Sequence, residues 1–70
     1  MISLTINGKE RTLAGEMTVA DFLAASEIDP RIIAVEHNGV VLERGRFSEV
    51  TLRHGDVVEI VRMIGGGARP

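Results

Sequence analysis

The chain has 70 residues and a nearly balanced charge, with 8 Lys and Arg against 10 Asp and Glu. A hydrophobic fraction of 44% at this length fits one small domain and is too high for a disordered chain. The absence of cysteine excludes a disulfide scaffold, a zinc–thiolate site, an iron–sulfur cluster and a thiol nucleophile. A net charge of -2 with only two aromatic residues argues against nucleic-acid binding.

No targeting or membrane-spanning segment is recognisable in the sequence. No apolar run reaches the roughly 18 residues that cross a bilayer. Residues 1–7 lack a basic stretch before an apolar one, so they do not resemble a signal peptide. We therefore expect a cytoplasmic protein that binds neither membrane nor nucleic acid.

The first predicted element is a β-hairpin. Apolar and polar residues alternate across residues 2–6, which is the period of a half-buried strand. Asn7-Gly8 favours a type I′ turn, because both central residues of that turn need positive φ. The chain is then expected to return as a second strand over residues 9–13.

A short helix is predicted next, with Thr18 as its N-cap and Asp21 near the positive end of the helix dipole. Spacings of three and four residues place three apolar side chains on one helical face, those of Val19, Phe22 and Leu23. Pro30 is expected to end the segment, since the residue before proline avoids the helical region. A helix this short must pack on a sheet to persist.

The second half of the chain predicts further strands at residues 32–36, 40–42 and 57–64. Asn38-Gly39 supplies a tight turn between the first two, and a third turn is expected at residues 54–56. Residues 43–52 lack a clean period, and Phe47 is the expected anchor of that segment in the core. The order of elements favours an α+β fold, a mixed sheet with one helix across it, and is compatible with a β-grasp domain over residues 1–64.

Alternation along the last strand predicts a docking surface. Val58 and Ile60 are expected to face the core, because the opposite assignment would bury the glutamate between them without a partner. Val61 and Met63 then point outward, and apolar side chains grouped beside a chain end indicate a partner-binding surface. Scattered exposed apolar residues without function are the alternative. Arg62 is expected to lie beside this patch, and it is included as a partner contact because arginine is favoured at interfaces.

Residues 65–70 are predicted to form a flexible tail. Three consecutive glycines do not continue a strand without a large loss of backbone freedom. No Gly-Lys-Ser/Thr signature follows them, which argues against a phosphate-binding loop. Runs of glycine usually form flexible linkers. A thin segment without side chains also suits insertion into a narrow site of another protein. The residues that would enter such a site are Gly65, Gly66 and Gly67.

The remaining polar residues indicate neither a metal site nor an enzyme. His37 and His54 each lie near a turn, and no cysteine is present to complete a ligand set with them. The glutamates show no spacing that forms an acid–base pair in a cleft. We expect no bound metal and no bound cofactor.

In order and spacing these segments resemble the ThiS family, the small sulfur carriers of thiamine biosynthesis. The resemblance rests on Ile6-Asn7-Gly8-Lys9, Thr18-Val19, Phe22-Leu23, Val35-Glu36-His37-Asn38-Gly39, Arg46-Phe47, Gly55-Asp56-Val57-Val58-Glu59-Ile60-Val61 and the glycine-rich end. It covers nearly the whole chain and implies the β-grasp fold of the ubiquitin-like superfamily.

The resemblance also implies a protein cosubstrate rather than an enzyme. In the family, a ThiF-like adenylyltransferase uses ATP to adenylate a terminal glycine carboxylate. Sulfur from a persulfide relay, such as one fed by a cysteine desulfurase, then replaces the adenylate. A ThiG-like thiazole synthase consumes the resulting thiocarboxylate. Alignment on the last strand places Gly67 at the reactive position.

One departure from the family pattern concerns Ala68-Arg69-Pro70, which follow the reactive position. The carbonyl of Gly67 is then an amide, which cannot be adenylated, so we expect a maturation peptidase to remove these three residues. A sequence variant or an inactive paralogue are the alternatives.

Other functions left open are a carrier of the type of the molybdopterin synthase small subunit, a ubiquitin-like protein modifier, and an inert β-grasp interaction module.

Overall fold

The computed structural model describes residues 1–63. The predicted tail 65–70, with Gly65, Gly66 and Gly67, and the last residue of the predicted domain lie outside the described residues. In chain order the elements are β1 (Ile2–Ile6), β2 (Lys9–Leu13), β3 (Met17–Thr18), α1 (Val19–Ala25), a 3-10 turn (Pro30–Ile32), β4 (Ile33–His37), β5 (Val40–Leu42), a second 3-10 turn (Arg44–Arg46), β6 (Thr51–Leu52) and β7 (Val57–Arg62).

Five strands form one mixed sheet in the order β2-β1-β7-β4-β5. The central strand β7 pairs in parallel with β1 and antiparallel with β4, and both flanking pairs are antiparallel hairpins. Helix α1 covers one face of this sheet. The mixed sheet with one helix across it is the architecture predicted from the order of elements, so that prediction is confirmed.

Both Asn-Gly turns have the predicted left-handed backbone. Asn7 and Gly8 have φ values of 52° and 80°, and Asn38 and Gly39 have values of 50° and 86°. Asparagine tolerates this region better than other residues with a side chain, and glycine enters it without steric cost. The two hairpins β1–β2 and β4–β5 therefore close through type I′ turns.

The first turn of α1 is satisfied partly by its own cap and partly by a distant loop. Thr18 Oγ1 accepts a hydrogen bond from the Asp21 N–H at 3.0 Å, which confirms the predicted N-cap. The first two N–H groups of the helix donate to the carbonyl oxygens of Val50 and Phe47, both at 2.9 Å. The segment 43–52, which has no regular period, thus supplies acceptors that the helix end requires.

The end of α1 is a correction to the sequence prediction. The helix stops at Ala25 rather than before Pro30, because Glu27 adopts φ 60°. The Ile28 N–H then donates to the Leu23 carbonyl at 2.9 Å, which is the long bond of a Schellman motif. Pro30 instead begins the first 3-10 turn.

The core lies between α1 and the sheet. Among residues 1–63 it contains ten buried apolar side chains, those of Leu4, Ile6, Val19, Phe22, Leu23, Ile33, Val35, Phe47, Leu52 and Val58. Phe47 is buried in this core, which confirms the prediction that it anchors the segment 43–52. Three strand bounds differ from prediction. The strand predicted over residues 32–36 is Ile33–His37, because Ile32 belongs to a 3-10 turn, and β7 ends at Arg62. The short antiparallel pair β3–β6 was not predicted. Within residues 1–63, no helix is long and apolar enough to cross a membrane.

Candidate functional site

The sheet face turned away from α1 carries exposed apolar side chains. Alternate residues of each strand point to opposite faces, so the neighbours of the buried Val35 and Val58 point away from the helix. We call this surface the open face, and its residues are Ala34, Glu36, Val41, Val57, Glu59 and Val61. The three valines are between 50% and 69% exposed.

Val61 lies within the open face, directly opposite Ala34 on the neighbouring strand. It lines a shallow depression together with Val41 and the two glutamates of the face. Met63 follows the end of β7, is 53% exposed, and donates its N–H to the Ile32 carbonyl at 2.8 Å. Val61 and Met63 point outward and Val58 points inward, as predicted. Partner binding by Val61 and Met63 stays a prediction.

Arg62 does not lie beside Val61 on the open face. Strand alternation turns its side chain to the opposite side, where it lines a groove of about 830 Å³ between the end of α1 and β7. Ile60, Asp29 and Phe22 line the same groove. The expectation that Arg62 flanks the outward-pointing patch is therefore corrected. Arg62 and Val61 are adjacent in the sequence, but their side chains lie on different faces of the sheet.

An acidic pair occupies the middle of the open face. Glu36 of β4 and Glu59 of β7 are register partners on adjacent antiparallel strands. Like charges placed directly opposite each other destabilise a sheet. Residue spacing did not predict this pair or the neighbouring Val41, because only the pairing of β4 with β5 and β7 brings them together. Apolar side chains around a negative centre suit a partner surface that carries arginine or lysine.

The side chain of Asp56 organises the turn that leads into β7. Its Oδ2 lies 2.8 Å from Nε2 of His37 and accepts the Arg53 N–H at 2.9 Å, while its Oδ1 accepts Nδ2 of Asn38 at 3.1 Å. Partial burial alone would raise the pKa of Asp56, but the hydrogen bonds from His37 and the two other donors outweigh burial and hold this pKa below its usual 3.8. His37 thus has a structural partner.

Replacing Asp56 by Asn is expected to change the pH dependence of stability. Because the folded pKa lies below the unfolded value of 3.8, the carboxylate stabilises the fold above that pH and loses this effect as pH falls through the folded pKa. We expect D56N to lower the free energy of unfolding at neutral pH by about 1.5–3 kcal/mol. In urea titrations, the difference from wild type shrinks between about pH 5 and about pH 2.

The control for this measurement is E43Q, which neutralises an exposed carboxylate away from the turn. It is expected to leave the stability at neutral pH unchanged. A constant difference between D56N and wild type at every pH would show that Asp56 acts through its shape rather than through its charge.

The end of β7 is held by the side chain of Asn7. The carboxamide Nδ2 donates to the Ile60 carbonyl at 3.1 Å, and Oδ1 accepts the Ile60 N–H at 2.7 Å. The sequence identified Asn7 only as a turn residue. Parallel pairing between the first and last strands, which is a long-range feature, gives it this second contact.

His54 lies in the turn that precedes β7, two residues before Asp56. Its Nδ1 accepts the Ser3 N–H at 3.0 Å, and the side chain is exposed. In the part of the chain that the structure describes, no three His, Asp or Glu residues are grouped so that they could hold a metal ion.

The fold defined by this sheet, helix and open face is a β-grasp domain, and comparison with known proteins gives its family. The ThiS family profile matches residues 4–67. The sulfur carrier protein ThiS of Bacillus subtilis (strain 168) is 37% identical over 65 residues, which cover 91% of this chain and 98% of that protein. The crystal structure of the thiamine biosynthesis protein ThiS from Geobacter metallireducens superposes with a TM-score of 0.83 at 39% identity, covering 94% of this chain and 100% of that one.

This chain belongs to the ThiS family. A thiazole synthase of Paramagnetospirillum magneticum (strain ATCC 700264 / AMB-1) is also similar, with 39% identity over 67 residues. That match covers 96% of this chain, which spans only 21% of the length of that relative.

Proposed function

We propose that this chain is a sulfur carrier of thiamine biosynthesis, which holds sulfur as a thiocarboxylate on Gly67. The observation that carries the proposal is the family match, which runs from residue 4 through residue 67 and so includes the whole glycine run. The lack of cysteine agrees with it, because the chain has no side-chain thiol on which to form a persulfide. A glycine at the reactive position leaves the acyl carbon free of a neighbouring Cβ.

The proposed chemistry requires activation by a second protein. A ThiF-like adenylyltransferase converts the carboxylate of Gly67 to an acyl adenylate with ATP, because a carboxylate has no good leaving group. The terminal sulfur of a persulfide on a donor protein then displaces AMP and forms an acyl disulfide with Gly67. A second thiol cleaves the S–S bond of that acyl disulfide, which releases the thiocarboxylate and leaves a disulfide on the donor. ATP is a substrate of the partner in this scheme, and the carrier itself binds no cofactor. Maturation must first free the carboxylate of Gly67 from the residues at 68–70.

The proposed consumer of the sulfur is a thiazole synthase. Nearly all of this chain aligns with about a fifth of a protein that is named thiazole synthase. A carrier-like segment and the rest of that protein are therefore joined in one polypeptide, which is expected when one part hands a group to the other. We propose that the separate carrier meets a ThiG-like synthase through the same kind of contact.

The open face and Met63 are the proposed docking surface for these partners. The three valines of the face are exposed, and Val61 precedes Gly65 by four residues in the sequence. The acidic pair Glu36 and Glu59 gives the surface a negative centre that favours cationic side chains on the partner. Binding here would hold the carrier while the glycines enter the partner's site.

The function is tested by complementation of cells that lack this chain. We expect such cells to require added thiazole, and the intact gene to restore growth without it. A gene that lacks the codons for Gly66 and Gly67 is expected not to restore growth, although all residues of the described fold are retained. Growth without thiazole in cells that carry this deletion would contradict the proposal.

A charged residue in the open face is expected to weaken docking without unfolding the domain. Val61→Asp removes an apolar contact of the open face and places a carboxylate where it must be desolvated on binding, so the affinity for the adenylating enzyme or the synthase is expected to fall by at least about tenfold. Val40→Asp is the matched control, because Val40 is 61% exposed at the edge strand but does not belong to the open face. Calorimetric titrations measure the affinity of both variants for the partner. Equal losses of affinity in the two variants would show that the open face is not the docking surface.

A further inference from the structure

The two edges of the five-stranded sheet differ in how they are protected. Edge strand β2 carries three consecutive charged residues, Lys9, Glu10 and Arg11. Charged side chains on an edge strand hinder another chain from pairing with it. Edge strand β5 has the sequence Val-Val-Leu and carries no charge. Because Val40 is 61% exposed and Val41 is 69% exposed, no part of residues 1–63 covers this apolar edge.

Val41 presents both of its backbone hydrogen-bonding groups at the β5 edge. In the β4–β5 hairpin, His37 and Val40 flank the two-residue turn and form a hydrogen-bonded pair. The two kinds of pair alternate along an antiparallel ladder, so Glu36 and Val41 form a non-hydrogen-bonded pair. The N–H and the carbonyl of Val41 consequently point away from β4, and neither has a hydrogen-bond partner within residues 1–63.

A second copy of this chain is complementary to this edge. In an isologous dimer the same patch meets itself around a two-fold axis. With the axis at Val41, the N–H of each Val41 donates to the carbonyl of the other, and Val40 lies opposite Leu42. Gly39 then lies opposite Glu43, so no two like charges face each other. An axis at Glu43 would pair two carboxylates, and an axis at Val40 or Leu42 would meet backbone groups already bonded to β4.

The β2 edge does not favour the same arrangement. By the same alternation, Glu10 and Thr12 are the residues of β2 whose backbone groups point outward. An axis at Glu10 places two glutamates opposite each other and Lys9 opposite Arg11, so like charges meet at every position. An axis at Thr12 brings the charged side chain of Arg11 into the contact. Self-pairing is therefore favoured at β5 and opposed at β2.

We infer that the β5 edge is a self-association surface, through which two copies pair antiparallel about Val41. The two five-stranded sheets then join into one, and their open faces lie side by side on it. Strand β5 has only three residues. The contact is much smaller than the roughly 1,200 Å² that stable complexes bury, so we expect a dimer with a dissociation constant of about 0.1–1 mM. Self-pairing of this kind is independent of sulfur transfer.

Concentration-dependent NMR spectra of the full chain test this self-pairing. Between about 0.05 and about 2 mM, we expect the Val41 amide signal to shift most, the signals of Val40 and Leu42 to shift less, and that of Thr12 to stay constant. A sample that mixes labelled and unlabelled copies is expected to show an intermolecular NOE between the α-protons of Val40 and Leu42. These two residues form a non-hydrogen-bonded pair in the dimer, in which the strands approach most closely.

Substitutions at the two edges separate self-pairing from damage to the fold. Val41→Pro removes an N–H that no group of the described fold uses, and proline is tolerated at such positions of edge strands. We expect it to raise the dissociation constant at least about tenfold, since the dimer loses both hydrogen bonds at its centre. Thr12→Pro makes the matched change at the β2 edge and is expected to leave the constant unaltered. Val40→Lys keeps every backbone group, charges the β5 edge, and is expected to weaken the dimer as Val41→Pro does.

Several results would overturn the self-pairing of β5 and leave the proposed function in place. A Val41 amide signal that stays constant up to about 2 mM is one of them, and equal weakening by Val41→Pro and Thr12→Pro is another. Shifts confined to Val57 and Val61 would assign self-association to the open face instead. A change at Val41 only after addition of the adenylating enzyme would assign the edge to that partner. Adenylation of the chain ending at Gly67 is measured separately, so its failure bears on the proposed function alone.

Discussion

A chain that ends at Gly67 is expected to be adenylated, whereas Gly67→Val in the same chain is expected to lose at least about a hundredfold in rate. A β-branched side chain next to the acyl carbon obstructs both the approach of ATP and passage through a narrow site. The 70-residue chain, in which Gly67 is followed by Ala68, is expected to give no product, since its Gly67 carbonyl is an amide. Release of pyrophosphate measures the reaction.

Two controls separate the chemistry of the terminus from damage to the fold. Gly67→Ala changes the terminus by one methyl group and is expected to react more slowly than glycine but faster than valine. The unfolding transitions of all these chains are expected to coincide, because residue 67 lies outside the described fold. Equal rates for glycine and valine would show that the terminal residue is not the reacting one.

Phe47→Ala is expected to have the largest effect on stability, about 3–5 kcal/mol. The ring is 4% exposed and anchors a segment that has little regular structure of its own. A domain of this size is stable by about 4–10 kcal/mol in total, so the loss removes a large part of the margin. Urea unfolding followed by circular dichroism measures it.

Val41→Ala is the comparison for this variant, since Val41 is 69% exposed on the open face. It is expected to change the free energy of unfolding by less than about 0.5 kcal/mol. Phe47→Leu keeps much of the apolar volume and is expected to fall between the two. A loss below about 1 kcal/mol for Phe47→Ala would show that the core closes without this ring.

Local chemistry made part of the fold predictable from the sequence. Both Asn-Gly turns, the Thr18 cap and the alternation of β1 and β7 depend on residues within a few positions of one another. Each of these signals has a direct physical cause, either a φ preference, a hydrogen bond or the period of a strand. The prediction of Phe47 as an anchor succeeded for a related reason, because a lone aromatic residue in a polar segment is seldom left exposed.

Features that depend on distant pairing were not predictable in the same way. The strands β3 and β6 have two residues each, and their pairing joins segments more than thirty residues apart. The helix ended early because Glu27 adopts a left-handed backbone that its residue type does not favour. The acidic pair of the open face and the hydrogen bonds between Asn7 and Ile60 both require the register of β7, which residue spacing alone does not specify.

Thiol alkylation tests most directly whether sulfur resides on the terminal carboxyl group. Because the chain contains no cysteine, a thiol-specific reagent has no side-chain thiol to modify. After incubation of the chain ending at Gly67 with ATP, the adenylating enzyme, a persulfide donor and a thiol reductant, we expect one alkyl group per molecule, located by mass spectrometry on Gly67. An unmodified terminus in a folded sample, when the same enzyme and donor do modify another carrier of the ThiS family, would contradict the account.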